Sequence, residues 1–141
     1  MPSNKLGDFR ELIETGIPFN RHLGIRLLEL EERKCILLLP FREEFIGDSR
    51  RRALHGGIIS TLIDTCGGFA VWSAGSPADR IATIDLRVDY LSPAVETDIL
   101  AESRVRLLGN RVGNVNTRVW GNAEPDRILA EARAVYNIRR D

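Results

Sequence analysis

His55-Gly56-Gly57 and Asp64 are the residues of this 141-residue sequence whose types and spacing suit chemistry. The glycine pair stands where a loop gives way to a helical pattern. The first N–H groups of a helix lack internal partners, and the helix dipole favours negative charge there. Glycine lets a ligand come close to the backbone, so the N–H of Gly56 or Gly57 can polarise a carbonyl and hold the charge that develops on its oxygen. A glycine pair needed only for a tight turn fits the same residues equally well. Asp64 follows about two turns into the helix, among apolar neighbours, and is expected to be at least partly buried. Such a carboxylate is a base that activates water, a nucleophile that attacks an acyl carbon, or a structural group bonded across a subunit contact. His55 is assigned an orienting role, since a lone histidine at a helix start is more often structural than a general base.

The helix carrying these groups runs from Gly57 to about Ser73. Turned at about 100° per residue, it sorts Ile58, Ile59, Leu62, Ile63, Cys66, Phe69 and Ala70 onto one arc. Gly57, Ser60, Thr61, Asp64, Thr65, Gly67 and Gly68 fall opposite, a small and polar face suited to close approach rather than to solvent. Val71 and Trp72 break the pattern and are expected where the helix leaves the sheet or meets a partner.

Around it the sequence predicts an α+β layer structure, a single domain over residues 1–141. Asn4 is placed to cap a first helix to about Thr15, stopped by Gly16 and Pro18. Gly24 to Leu30 and Lys34 to Leu39 read as a hairpin, and Phe41 to Leu54 as a loop. Four strands follow, Ile81 to Leu91, Asp98 to Leu108, Val112 to Gly121 and Ile128 to Arg139, and their short connections suggest an antiparallel meander. In the first, Ile84, Leu86, Val88 and Tyr90 are expected on one side and Thr83, Asp85, Arg87 and Asp89 on the other. In the last, Ala130, Ala132, Ala134, Tyr136 and Ile138 form the row that covers the helix.

Composition narrows the partners. Lys+Arg and Asp+Glu both count 20, so no global attraction to nucleic acid or to an anionic membrane is implied. The first sixteen residues carry Lys5, Asp8, Arg10, Glu11 and Glu14, unlike the apolar core of a secretory signal, and Asp64 interrupts the most apolar stretch. A cytoplasmic protein is expected. Cys35 and Cys66 stand far apart with no CxxC and no adjacent second histidine, so neither a metal nor a redox cofactor is implied. Arg50, Arg51 and Arg52, on the loop entering the helix start, suit phosphate contacts as well as they suit a solvated loop, and Arg111, beside Gly109 and Gly113 at a hairpin turn, is a lesser candidate of the same kind.

Leu54-His55-Gly56-Gly57, Leu62-Ile63-Asp64, Thr83-Ile84-Asp85-Leu86 and Tyr90-Leu91-Ser92-Pro93, in this order, resemble the hotdog-fold acyl-CoA thioesterases of the phenylacetic-acid-degradation type. The resemblance runs from about Phe19 to Ile138. It implies a long helix wrapped by a five- or six-stranded antiparallel sheet, and active sites between two protomers. Asp64 then acts as base or nucleophile from one subunit, and the amide of Gly57 or Gly56 comes from the other. Thr83 matches a Ser/Thr that places the attacking water, and dimers usually pair into tetramers. Many members carry an asparagine six residues before the histidine. Here that position is Ser49, so either Asp48 or Ser49 stands in its place in binding substrate or the chain belongs to a subgroup with a differently shaped loop. Two other readings are a non-catalytic acyl-CoA-binding module, against which Asp64 argues, and a hotdog hydratase, whose usual patterns differ at His55 and Asp64. Aromatic and medium-chain acyl groups are both compatible with Ile58, Leu62, Phe69 and Trp72.

Overall fold

Central helix α3 spans Gly56–Trp72, and its apolar arc is what the rest of the chain folds around. Ile59, Leu62, Ile63, Cys66, Phe69 and Ala70 are all buried, as the 3.6-residue period requires of a helix packed on one side. The structure, a computed structural model, describes residues 5–140; the expected cap Asn4 lies outside them. No described helix is long and apolar enough to cross a membrane.

The sheet that covers α3 has six antiparallel strands: β1 (Arg26–Glu31), β2 (Lys34–Leu39), β5 (Arg80–Tyr90), β6 (Ile99–Leu108), β7 (Val112–Gly121) and β8 (Glu124–Arg139). Their order is β1-β2-β6-β7-β8-β5, so the expected meander is corrected. β5 does not pair with β6, its successor; it pairs with β8 at the far edge of the sheet. The segment between β5 and β6 crosses the start of α3 instead. There Ala94 accepts from the Leu54 N–H at 2.9 Å and Val95 bridges Ala53. This crossover ties the helix N-terminus to the sheet.

Three further expectations change. The expected loop before α3 contains a short ribbon, β3 (Ile46–Asp48) with β4 (Ala53–Leu54). The N-terminal helix α1 (Lys5–Glu11) runs on through a wider π turn to Gly16, and Pro18 begins a second helix, α2 (Pro18–Leu23). Proline is suited to a first helical turn because its missing N–H has no partner there anyway. The last hairpin turns at Asn122-Ala123, leaving Pro125 on the exposed beginning of β8, where no ladder bond is forfeited. Trp72 is held within the chain: its ring stacks on Phe69 with centroids 5.3 Å apart, and Phe9 of α1 meets both edge-on.

The small face of α3 is met by Tyr136 of β8. A Cβ on Gly67 would overlap the Tyr136 hydroxyl and lie 3.0 Å from its ring carbon Cζ. The tyrosine is 1% exposed and has no room to retreat. Gly67→Ala is therefore expected to cost about 1–3 kcal/mol of stability by overpacking. Thermal unfolding should show the loss, and Tyr136→Phe in the same chain should recover part of it, because the two sites share one contact. A Gly67→Ala protein that melts with the wild type would contradict this packing.

On the outer face of the sheet Glu102 is buried but charged. Arg118 Nε approaches it at 2.9 Å, Arg104 Nη2 at 3.2 Å and Lys34 Nζ at 3.7 Å. Burial pushes its carboxyl upward, yet the cations outweigh burial and hold it below the ordinary carboxylate value. With the folded pKa depressed, the stabilisation is fully present above the unfolded value of about 4.3 and disappears as pH falls through the folded one. Glu102→Gln is expected to melt lower than wild type at neutral pH, the gap closing in acid below that folded value. A gap that persists unchanged in acid would contradict it.

Candidate active site

His55 closes the N-terminus of α3. Its backbone is extended, φ −61° and ψ 134°, and its Nδ1 accepts from the Gly57 N–H at 2.8 Å. The ring is held in place because Gly47 of β3 lies against it, where a Cβ would come within 2.7 Å of His55 Cα. On the other side of the turn the Tyr90 hydroxyl donates to the Gly56 carbonyl at 3.1 Å. The peptide joining Gly56 to Gly57 is thereby bonded at both polar atoms, its C=O to Tyr90 and its N–H to His55. The N–H of Gly56 itself has no partner among the described residues. It opens beside a pocket of about 420 Å3 lined by Asp48, Arg51, His55, Gly56, Tyr90 and Leu91, among others. An amide at the positive end of a helix, fixed by its neighbours and unpaired, can stabilise an oxyanion.

Asp64 is half-buried on the small face of α3. The Thr83 hydroxyl donates to its Oδ1 at 2.7 Å. Simple alternation would have placed Thr83 on the opposite face of β5. The pairing with β8 slips by one residue between Thr83 and Asp85, which leaves Ile84 58% exposed and brings Thr83 to the helix side. A bulge re-aims one side chain in this way without ending the strand. Beneath the carboxylate, the Tyr136 hydroxyl donates to the Asp64 carbonyl at 2.9 Å. Burial, and then the charge of Asp64, push the Tyr136 phenol far above its usual range, so it stays a proton donor.

Residues 52–128, more than half of the chain, match the Thioesterase superfamily. The chain belongs to that family. It is 30% identical to the medium/long-chain acyl-CoA thioesterase YigI of Escherichia coli, over 91% of this chain and 90% of that one. Among solved structures, a thioesterase-superfamily protein superposes with a TM-score of 0.87 at 36% identity, over 97% of this chain and all of the other. The PaaI protein of the E. coli phenylacetic acid degradation operon superposes with a TM-score of 0.85 at 18% identity, over 100% of this chain and 97% of that one. The last likeness is one of fold, and it is the hotdog fold that the motifs imply. The protein is a thioester hydrolase.

The thioesterase brings together His55, Gly56, Asp48 and Arg51 around one pocket, with Gly57 bonded to His55 beside it, and Asp64 with Thr83 in a second place. The two places are separate within the chain. Asp64 is eight residue steps along the helix from Gly56, a rise of about 12 Å.

Of the arginines read as phosphate ligands, two are already engaged. Arg51 Nε bonds Asp48 Oδ2 at 2.7 Å, while Asp48 Oδ1 accepts from the Arg50 and Arg51 N–H groups. The hydrogen bonds from Arg51 hold the Asp48 carboxyl below its ordinary value. Arg52 is clamped between Glu43 and Glu96. Arg50 and Ser49 are exposed on the turn, and Arg111 lies elsewhere, in a pocket at the β7–β8 end of the sheet.

Tyr90 and Tyr136 were not read as site residues. Tyr90 is itself the first residue of the Tyr90-Leu91-Ser92-Pro93 motif, and its place there is a usable signal. Tyr136 looks in sequence like any other member of an apolar row.

Proposed function

We propose that this thioesterase hydrolyses acyl-CoA esters in a site completed by a second copy of the chain. The observation that carries the reading is the separation of its parts. An oxyanion donor and a water-activating base must both lie within about 3 Å of the atoms they serve. At about 12 Å apart on one rigid helix, Gly56 and Asp64 cannot attend the same carbonyl.

A second copy supplies the missing half. β5 lies at the edge of the sheet, so the far side of its backbone makes no ladder among the described residues, and such an edge is a template for pairing. Two copies of β5 related by a two-fold axis would pair antiparallel about their middles. Thr83, with Asp64 behind it, would then face the end of the neighbouring β5, where Tyr90 holds the Gly56 turn. Exposed Ile84, Tyr90 and Leu91, all at least half open to solvent here, would be covered in the process.

In that dimer the steps follow from the groups present. Thr83 occupies Asp64 Oδ1 and leaves Oδ2 to take a proton from water. The water oxygen attacks the thioester carbon as the partner's Gly56 N–H holds the carbonyl oxygen. Collapse of the tetrahedral intermediate breaks the C–S bond. The thiolate of CoA leaves and recovers the proton, and the carboxylic acid is released. His55 and Tyr90 act on the turn that carries the amide. The acyl chain is placed in the pocket beside Gly56, along Leu54, Ile59, Leu91, Pro93 and Ala94. That lining is apolar, and with the name of the E. coli relative it favours medium or long chains.

The test is CoA release, followed with a thiol-reactive dye, from short, medium, long and aromatic acyl-CoAs. Turnover that rises with chain length through the medium range is expected. A folded protein that releases CoA from none of them would overturn the reading.

A further inference from the structure

We propose that the pocket at the β7–β8 end of the sheet, lined by Arg111, Arg139 and Arg140 with Asn110 and Asn137, binds phosphate groups, and that its occupant is the nucleotide end of CoA. The inference rests on the acyl-CoA reading above and adds the residues that recognise the coenzyme.

The pocket has a volume of about 420 Å3, and no carboxylate of the described residues lines it. Arg140 is satisfied by the buried Asp79, at 3.1 Å. Arg111 and Arg139 are exposed and have no side-chain partner among the described residues. Arg80, directly across the ladder from Arg139, adds a further cation. Among the described residues, four guanidiniums against one carboxylate stand out in a chain whose formal charges balance at zero. The arrangement is fixed by backbone: the Ile138 N–H donates to the Arg111 carbonyl at 2.6 Å, which locks the tip of the β7 turn onto β8 and sets Arg111 beside Arg139. Guanidinium groups bind phosphate oxygens with paired, directed N–H bonds, and Asn110 and Asn137 add amide donors.

Other basic places fit less well. Arg51 and Arg52 are neutralised by Asp48, Glu43 and Glu96. The middle of the outer sheet face mixes signs, since Arg87 and Arg133 share a pocket there with Asp89 and Glu131.

Position agrees with the chemistry. Thr83 lies opposite Tyr136, and three residues along the same two strands stand Arg80 and Arg139, about 10 Å away at the usual strand rise. The long pantetheine arm spans that distance, passing round the end of the sheet from the helix side, where Asp64 sits, to the outer side, where the guanidiniums lie.

The experiment is calorimetric titration of the full chain with CoA, dephospho-CoA and pantetheine, for wild type and for the double variant Arg111→Ala/Arg139→Ala. Wild type should prefer CoA to pantetheine at least about tenfold, and added salt should erode the preference, as for any phosphate contact made near the surface. The double variant should lose most of that preference. Dephospho-CoA binding like CoA assigns the diphosphate to the pocket; binding like pantetheine assigns the 3′-phosphate. Both side chains are exposed, so the fold is expected to survive, and Arg139→Glu gives a second variant in which the loss should be larger. Unchanged CoA affinity in both variants, or a wild type with no preference for CoA over pantetheine, overturns the proposal. Binding is read without turnover, so a protein that binds CoA through these arginines but releases none from its esters would refute hydrolysis of acyl-CoA and leave this site standing.

Discussion

Asp64→Asn is expected to lower kcat for acyl-CoA hydrolysis by about 10²–10⁴-fold, the usual contribution of a positioned general base, with little change in melting temperature. The substitution keeps the side chain's shape and leaves an amide oxygen to accept the Thr83 hydroxyl, which bonds Asp64 Oδ1 at 2.7 Å in the native chain. The bond from Tyr136 goes to the Asp64 backbone carbonyl and is untouched. What is lost is the oxygen that can take a proton from water. Steady-state kinetics on purified protein, with circular dichroism melts alongside, separate the two effects. Turnover within a few-fold of wild type would remove Asp64 from the mechanism.

Gly56→Pro should be nearly as damaging, for a different reason. Proline deletes the one N–H at the start of α3 that has no partner among the described residues. The backbone accepts it. Gly56 is the first residue of the helix, and His55 before it is already extended, φ −61° and ψ 134°, the conformation that a following proline favours. Loss of an oxyanion donor costs about 10²–10³-fold in kcat. Gly56→Ala is the matching control: its Cβ would sit 3.3 Å from the Tyr90 ring, a tight contact, but the N–H remains. Proline far below alanine in kcat is the expected order. Equal activities would mean that the amide does not hold the carbonyl, and that shape alone matters at this turn.

Much of the candidate site is legible in the sequence because it lies on one continuous element. A helix start marked by His55 and two glycines, and a carboxylate eight residues on, follow from local spacing alone. The period of α3 likewise foretold which of its residues would be buried. What was not legible depends on partners distant in sequence. Nothing in Thr83-Ile84-Asp85 marks the bulge, since one residue slips against β8 more than fifty positions later, and that slip alone turns Thr83 toward Asp64. The crossover from β5 to β6 escaped for the same reason: Ala94 and Val95 bond back to Ala53 and Leu54, which local turn signals do not record. The arginine run Arg50-Arg51-Arg52 read as free charge because Glu43 and Glu96, which hold Arg52, belong to other segments. Pro18 read as a stop because a proline that ends one helix and a proline that begins the next look alike in isolation.

The central claim is that each site is shared between two protomers, and it has a direct test. Asp64→Asn and Gly56→Pro proteins, each inactive alone, are mixed in equal amounts under denaturing conditions and refolded together. In a hybrid dimer, Asp64 from the proline-bearing protomer faces the intact Gly56 amide of the other, so one of the two sites is whole. Random pairing should restore about a quarter of wild-type activity. If differently tagged protomers show that hybrids form and the mixture stays as inactive as its parents, the two groups do not act across subunits, and the shared site is wrong.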